Sequence, residues 1–158
     1  MPNDCYNIIQ SITHDDPEVI KRLTHVLSQE TPSFFAEFIP CPKHETLFSY
    51  WGTKWDVYDV NITEINENTL GISFYTAWTP PIQAYIHLEK LGFTIDAMFM
   101  ESGFEFCGYW KDGEKTLYEN VMDDLANLPE DFHFYFQDNN EDEEDEEEAS
   151  RRTPGKHM

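Results

Sequence analysis

Alternation of apolar and polar positions predicts the first element. Tyr6, Ile8 and Ile12 alternate with Asn7 and Ser11, so Cys5 to Thr13 reads as a strand. Asp16 suits a helix N-cap and Pro17 the first helical position. Val19, Leu23, Val26 and Leu27 then recur at helical spacing to a stop near Gln29. From Ser33 to Thr53 the pattern loses its period. Phe34, Phe35, Phe38 and Ile39 run into Pro40-Cys41-Pro42, which predicts an apolar turn and a crossing segment, an insert over residues 31–56. Val57 to Ile65 reads as a strand with Tyr58, Val60 and Ile62 on one face. Asn66-Glu67-Asn68 is a hairpin loop, and Thr69 to Trp78 is the return strand, with Leu70, Ile72, Phe74, Thr76 and Trp78 sharing a face.

Thr79 as cap and Pro80 at the first position predict a helix holding Ile82, Tyr85, Ile86, Leu88 and Leu91, stopped by Gly92. Phe93 to Glu101 and Phe104 to Trp110 read as paired strands about Ser102-Gly103. After the turn at Asp112-Gly113, Leu117, Val121, Leu125 and Leu128 predict a third helix over Lys115 to Asn127, and His133 to Phe136 a short edge strand. The expected fold is therefore α+β: a ferredoxin-like split βαβ sandwich, with an antiparallel sheet, helices on one face, and an extra C-terminal hairpin strand and helix. Residues 1–137 are expected to form a single domain.

Charge changes the picture most. Ten basic residues face 31 acidic ones, a net charge of −21 over 158 residues. Eight acids run unbroken from Glu141 to Glu148, so residues 138–158 are expected to be an acidic disordered tail. The charge does not live in that tail alone: residues 1–137 hold 22 Asp and Glu against 7 Lys and Arg, a net −15. Such a surface disfavours direct binding to nucleic acid, whose phosphates need Lys and Arg, and attracts proteins that themselves expect phosphates. The bland reading of the same charge is solubility. No apolar run is long enough for a membrane span, and the N-terminus lacks the basic start and apolar block of a signal peptide. Three widely spaced cysteines, Cys5, Cys41 and Cys107, suit free thiols in a reducing compartment, the cytoplasm.

Five short stretches carry a family resemblance: Cys5-Tyr6-Asn7 before an Asp-Pro-Glu helix start, Ile39-Pro40-Cys41-Pro42, Trp51-Gly52-Thr53-Lys54-Trp55-Asp56, Ala77-Trp78-Thr79-Pro80-Pro81, and Glu101-Ser102-Gly103 leading to Phe106-Cys107-Gly108. In that order they resemble the YubB-like ferredoxin-like family of plasmids and phages, over roughly residues 5 to 111. The resemblance implies the fold and a mobile-element origin. It brings no catalytic residues, and the acidic tail is not part of its pattern.

Motifs for chemistry are sparse. His44-Glu45 opens like a zinc-protease motif, but Phe48 stands where the second histidine belongs. There is no Cys-x-x-Cys, no nucleophile elbow and no phosphate loop, so neither metal nor cofactor is expected. Cys107 reads as a buried, inert thiol, and adjacent acids are commonplace in so acidic a chain. The expectation is a non-enzymatic interaction protein: a nucleic-acid-mimicking decoy that inhibits a basic host DNA- or RNA-binding or defence protein. Its contact residues would be the acids Asp123, Asp124, Glu141, Asp142, Glu143 and Glu144 together with Trp51, Lys54, Trp55 and Trp78. Indoles beside strand ends offer apolar area with one donor, and Lys54 between them suits a cation–π contact. Alternatively the tryptophan loop is the contact patch of a regulatory binding module and the charge serves only solubility. A third reading, an enzyme acting on a small cationic or aromatic molecule, would use a pocket near Trp78, Glu101 and Cys107.

Overall fold

The computed structural model describes residues 4–103, 105–123, 125–133 and 135. Two compact units divide the chain, Met1–Glu119 and Asn120–Met158. The first unit is α+β. Its elements run β1 (Asp4–Thr13), α1 (Pro17–Leu27), α2 (Phe34–Phe38), α3 (Leu47–Trp51), β2 (Tyr58–Ile65), β3 (Thr69–Ala77), α4 (Ile82–Lys90), β4 (Thr94–Glu101), β5 (Phe106–Lys111) and β6 (Glu114–Glu119). The six strands form one sheet in the order β2-β3-β1-β4-β5-β6, with every neighbouring pair antiparallel.

The core lies on one face of that sheet. Ile9, Ile12, Leu70, Ile72, Phe74, Ile95 and Ala97 from the strands join Ile20, Leu23 and Leu27 of α1 and Ala84, Tyr85 and Leu88 of α4 in one buried cluster. A bulge in β1 makes this possible: β1 advances three residues from Ile9 to Ile12 while β3 steps only from Ile72 to Leu70, so both isoleucines stay on the core side. Helix α1 starts as its sequence predicts, with Pro17 in the first turn and the Asp16 carboxylate accepting from the Glu18 N–H at 3.0 Å. Helix α4 ends as predicted. Gly92, at φ 102°, donates to the Glu89 carbonyl and Phe93 to that of Leu88, the paired bonds of a Schellman stop.

The apolar insert is two short helices rather than an irregular crossing. Phe34 and Phe35 of α2 are fully buried, and Tyr50 of α3 stacks on His87 of α4 with ring centroids 3.9 Å apart. Five other expectations are corrected. Thr79 does not cap α4. Pro80 is kept out of the helical region by the proline that follows it, so Pro81 becomes the N-cap without a side-chain bond, and the Thr79 hydroxyl donates to the Gly52 carbonyl at 2.6 Å. Trp78 leaves the core face because the chain turns at φ 71° there. Tyr58 does not share a face with Ile62. Between their pairings to Tyr75 and Ile72, β2 carries an extra residue, with Asp59 at φ 53°, and each bulge of this kind reverses the face that follows.

The fourth correction is the third helix. Asp112 and Gly113, at φ 54° and 76°, make the two-residue turn whose twist suits a hairpin, with Lys111 opposite Glu114. That turn sends 114–119 back along β5 as a strand, and tertiary pairing overrides the helical spacing of its leucines. The second unit has 3₁₀ turns at Val121–Asp123 and Leu125–Asn127. Residues 130–133 are helical, so His133 is not in the expected edge strand.

Candidate functional site

The segment Trp51 to Asp56 divides its labour residue by residue. Trp51 is buried and its indole N–H donates to the Ile39 carbonyl at 2.8 Å. It is therefore a core residue, not a contact residue, which corrects its place among the candidates: its ring fills the space beside Phe35, 5.6 Å away. Gly52, at φ 82°, ends α3, and a side chain there would press within 3.1 Å of the Ile82 and Gln83 backbone nitrogens. The fully buried Thr53 hydroxyl both donates to the Ala77 carbonyl and accepts from the Ala77 N–H, each at 3.1 Å, which pins the loop to the end of β3. The Asp56 carboxylate accepts from the N–H groups of Phe35 and Ala36, both at 3.0 Å, and from Val57 at 2.8 Å, so it caps α2 from outside. Fixed at both ends, the loop holds Lys54 and Trp55 out in solvent.

Trp78 belongs to the same corner. The Thr79 N–H bonds back to the Ala77 carbonyl at 2.8 Å, which makes Trp78 the centre of a γ-turn with positive φ. Holding a non-glycine residue so costs on the order of 1 kcal/mol or more. The ring is nearly half exposed, with the Lys54 ammonium 5.6 Å from its centroid. The structure thus brings Lys54 and Trp78 together. Asp123 is exposed in the second unit. Asp124, Glu141, Asp142, Glu143 and Glu144, and with them the acidic tail, lie outside the described residues.

Beside this corner is a cavity of about 480 Å³ between α3, the start of α4 and the β5–β6 hairpin. Phe48, Pro80, Ile82 and Leu117 give it an apolar lining, and Ser49 and Lys115 add polar groups. Phe48 and Leu117 are themselves exposed. Gly52, Thr79, Pro80 and Phe106 of this lining lie within the short stretches that carry the family resemblance, whereas nothing in the sequence pattern marks Phe48 and Leu117 as sharing a cavity with them.

The opposite edge of the sheet has a different character. Between Trp55 and Glu89 the chain has no Lys or Arg, yet it has Asp56, Asp59, Glu64, Glu67 and Glu89. Asp59, Glu64 and Glu67 are exposed along the edge strand β2 and its turn. Glu67 and Glu18 line a second cavity, between α1 and the β2–β3 turn, together with Lys21 and His25, and Asp15 and Asp16 are exposed just before α1. Among the described residues, Lys and Arg form carboxylate pairs only at Lys21–Glu18 and Arg22–Glu37, at 3.5 and 3.4 Å, both well exposed and worth little. The edge acids are therefore not neutralised by the fold.

The remaining chemical groups have structural roles. Burial pushes the Cys5 thiol far above its ordinary range and the Cys107 thiol up to about 12, so neither is a thiolate at neutral pH. Asn7 donates to Thr76 Oγ1 at 2.9 Å and to the Cys5 carbonyl at 3.0 Å, a satisfied core network. Glu101 is buried, and its carboxylate accepts from the Glu105 N–H at 3.0 Å. Cys107 and Glu101 face opposite sides of the sheet, since Cys107 pairs with Met100, the residue before Glu101. One pocket cannot therefore use both. No three His, Cys, Asp or Glu side chains among the described residues converge on a metal position. No helix among them is long and apolar enough to cross a membrane. No family model, curated protein or solved structure matches this chain.

Proposed function

We propose that this chain is a non-enzymatic interaction protein of a mobile element, a cytoplasmic decoy whose carboxylates occupy the basic groove of a host nucleic-acid-binding or defence protein. The observation that carries the reading is the unneutralised β2 edge: exposed Asp59, Glu64 and Glu67 within a stretch of 35 residues, 55–89, free of Lys and Arg. Electrostatic steering by such a field gives fast association that weakens as salt screens it. The strand order β2-β3-β1-β4 supports a ferredoxin-like reading of the first four strands, in which the two β-α-β crossovers interleave and β5 and β6 extend one edge. The resemblance to the YubB-like family supports the mobile-element origin.

The full chain, immobilised and exposed to lysate of a plasmid-bearing host at low salt, should retain a basic nucleic-acid-binding protein. Added DNA or RNA, or raised salt, should release it. Recovery of no such protein, or retention indifferent to nucleic acid, overturns the reading.

The strained, exposed Trp78 favours a second reading, a regulatory module that docks through Trp78, Trp55 and Lys54. Under it, Trp55→Ala with Trp78→Ala abolishes capture of the partner, whereas Asp59→Asn with Glu64→Gln and Glu67→Gln leaves it intact. The decoy reading requires the reverse.

A further inference from the structure

On the sheet face opposite the core, register places Tyr58 of β2 against Tyr75 of β3, and Tyr75 against Tyr6 of β1. Their rings form a continuous row, with centroids 6.0 Å apart for Tyr58 and Tyr75 and 5.0 Å for Tyr75 and Tyr6. All three residues are half-buried, so the row is partly accessible to solvent. Two carboxylates stand at the row. The Tyr58 hydroxyl donates to Asp4 Oδ1, and Asp59 follows Tyr58 directly. The bulge holds Asp59 at φ 53°, and its carboxylate acts electrostatically on both Tyr58 and Tyr75. Burial raises the phenols of Tyr58 and Tyr75, and the nearby charges of Asp4 and Asp59 push them further up. The row is thus an aromatic surface in a negative field.

We propose that Tyr58, Tyr75 and Tyr6, with Asp4 and Asp59, receive an arginine side chain from a basic segment of the partner. A planar guanidinium stacks on an aromatic face while its N–H fork reaches a carboxylate, and Asp4 Oδ2 and the Asp59 carboxylate are both without a hydrogen-bond partner among the described residues. An ammonium matches the charge but not the plane. The inference rests on the basic-partner reading and adds the residue type that is read and the place where it is read.

The test uses a fluorescein-labelled Gly-Arg-Gly-Arg-Gly peptide and its lysine counterpart, titrated against the full chain at 150 mM salt by fluorescence anisotropy. The arginine peptide should bind about fivefold tighter than the lysine peptide. Asp59→Gly suits the left-handed backbone, so it should leave Tm within about 3 °C while weakening the arginine peptide about fivefold. Tyr75→Leu keeps every charge and should weaken it by a similar factor. Glu64→Gln with Glu67→Gln removes two charges from the same hairpin and should change binding by less than about twofold. Equal losses from this control pair and from Asp59→Gly, no loss from Tyr75→Leu, equal affinity for the two peptides, or no binding of the arginine peptide by the unaltered chain would each overturn the assignment. If only the assignment fails, lysate capture of a basic partner still succeeds. If only the decoy reading fails, the arginine peptide still binds at this row.

Discussion

Asp56 is the residue whose loss should propagate furthest for its size. Its two oxygens satisfy the first N–H groups of α2 at Phe35 and Ala36, and Oδ1 also takes the Val57 N–H. Asp56→Ala removes a helix cap and with it the Phe35 bond, worth about 1 kcal/mol, and leaves the part-buried Val57 N–H unpaired for about 1 kcal/mol more. The exposed Ala36 N–H turns to water at little cost. The sum is about 2 kcal/mol, a large share of the 5–15 kcal/mol typical of a domain. Asp56→Asn keeps one carbonyl for Phe35 and Val57 but presents an N–H₂ group toward Ala36, so it should cost about 1 kcal/mol. Urea unfolding followed by tryptophan fluorescence reads both. With a slope of about 2 kcal/mol per molar, the midpoint should fall by about 1 M for the alanine variant and about half that for asparagine. The helix concerned seats Phe34 and Phe35 in the core, so the loss is felt by the whole transition rather than by a fraying segment. An alanine midpoint within about 0.2 M of the unaltered protein, or an asparagine variant as damaged as the alanine one, would refute the capping argument.

Gly108→Ala should be more severe. A Cβ there runs into the Thr116 backbone carbonyl on β6 and stands 2.6 Å from Phe99 Cζ, so β5 and β6 must part; a loss of more than about 3 kcal/mol is expected in the same urea assay, and a loss under 1 kcal/mol would show the hairpin to be pliable. Trp51→Ala should cost about 3–5 kcal/mol by thermal unfolding, whereas Trp55→Ala and Trp78→Ala should stay within about 1 kcal/mol; equal losses would contradict the division between buried and exposed indoles. Cys5 makes stability depend on pH. Its folded thiol is raised far above the unfolded value of about 8.5, so the unfolded chain sheds this proton first; the contribution is intact below about pH 8.5 and declines above it by up to about 1.4 kcal/mol per pH unit. Denaturation curves at pH 7 and pH 10 should converge for Cys5→Ala relative to the unaltered chain, and parallel pH dependence in the two proteins would remove the thiol from the account.

Much of the first unit is legible where local chemistry and tertiary demand agree. Asp16-Pro17 starts α1, Gly92 stops α4, and the apolar side of β3 from Leu70 to Phe74 faces the core as its alternation requires. Legibility ends where one backbone angle decides. At Trp78 a positive φ turns out of the strand a residue whose spacing matches Leu70, Ile72 and Phe74. At Asp112-Gly113 two positive φ values make a hairpin from a segment whose leucines recur like a helix. Trp51 and Trp55, four residues apart in one motif, differ by burial alone: the first ends α3 under the Ile39 carbonyl, the second lies beyond a glycine that reverses the chain.

The tyrosine row and the Asp59 carboxylate beside it arise from one device. A regular strand running from Tyr58 to Ile62 would put both residues on the core side, as their even spacing requires. The extra residue at Asp59 breaks that parity. Val60 and Ile62 stay against the core, while Tyr58 crosses to the other face and completes the row with Tyr75 and Tyr6. The opposite sense operates in β1, where one extra residue between Ile9 and Ile12 keeps both inside and leaves Tyr6 and Ile8 facing out. Neither bulge has a glycine to announce it; the one in β2 places an aspartate in the left-handed region, which its short polar side chain tolerates, and the one in β1 needs no positive φ. An acidic residue placed at such a position therefore does two things at once. It admits the bulge that assembles the tyrosines, and it supplies part of the field in which they stand. Removing the carboxylate while keeping the backbone angle, as Asp59→Gly does, separates those two roles.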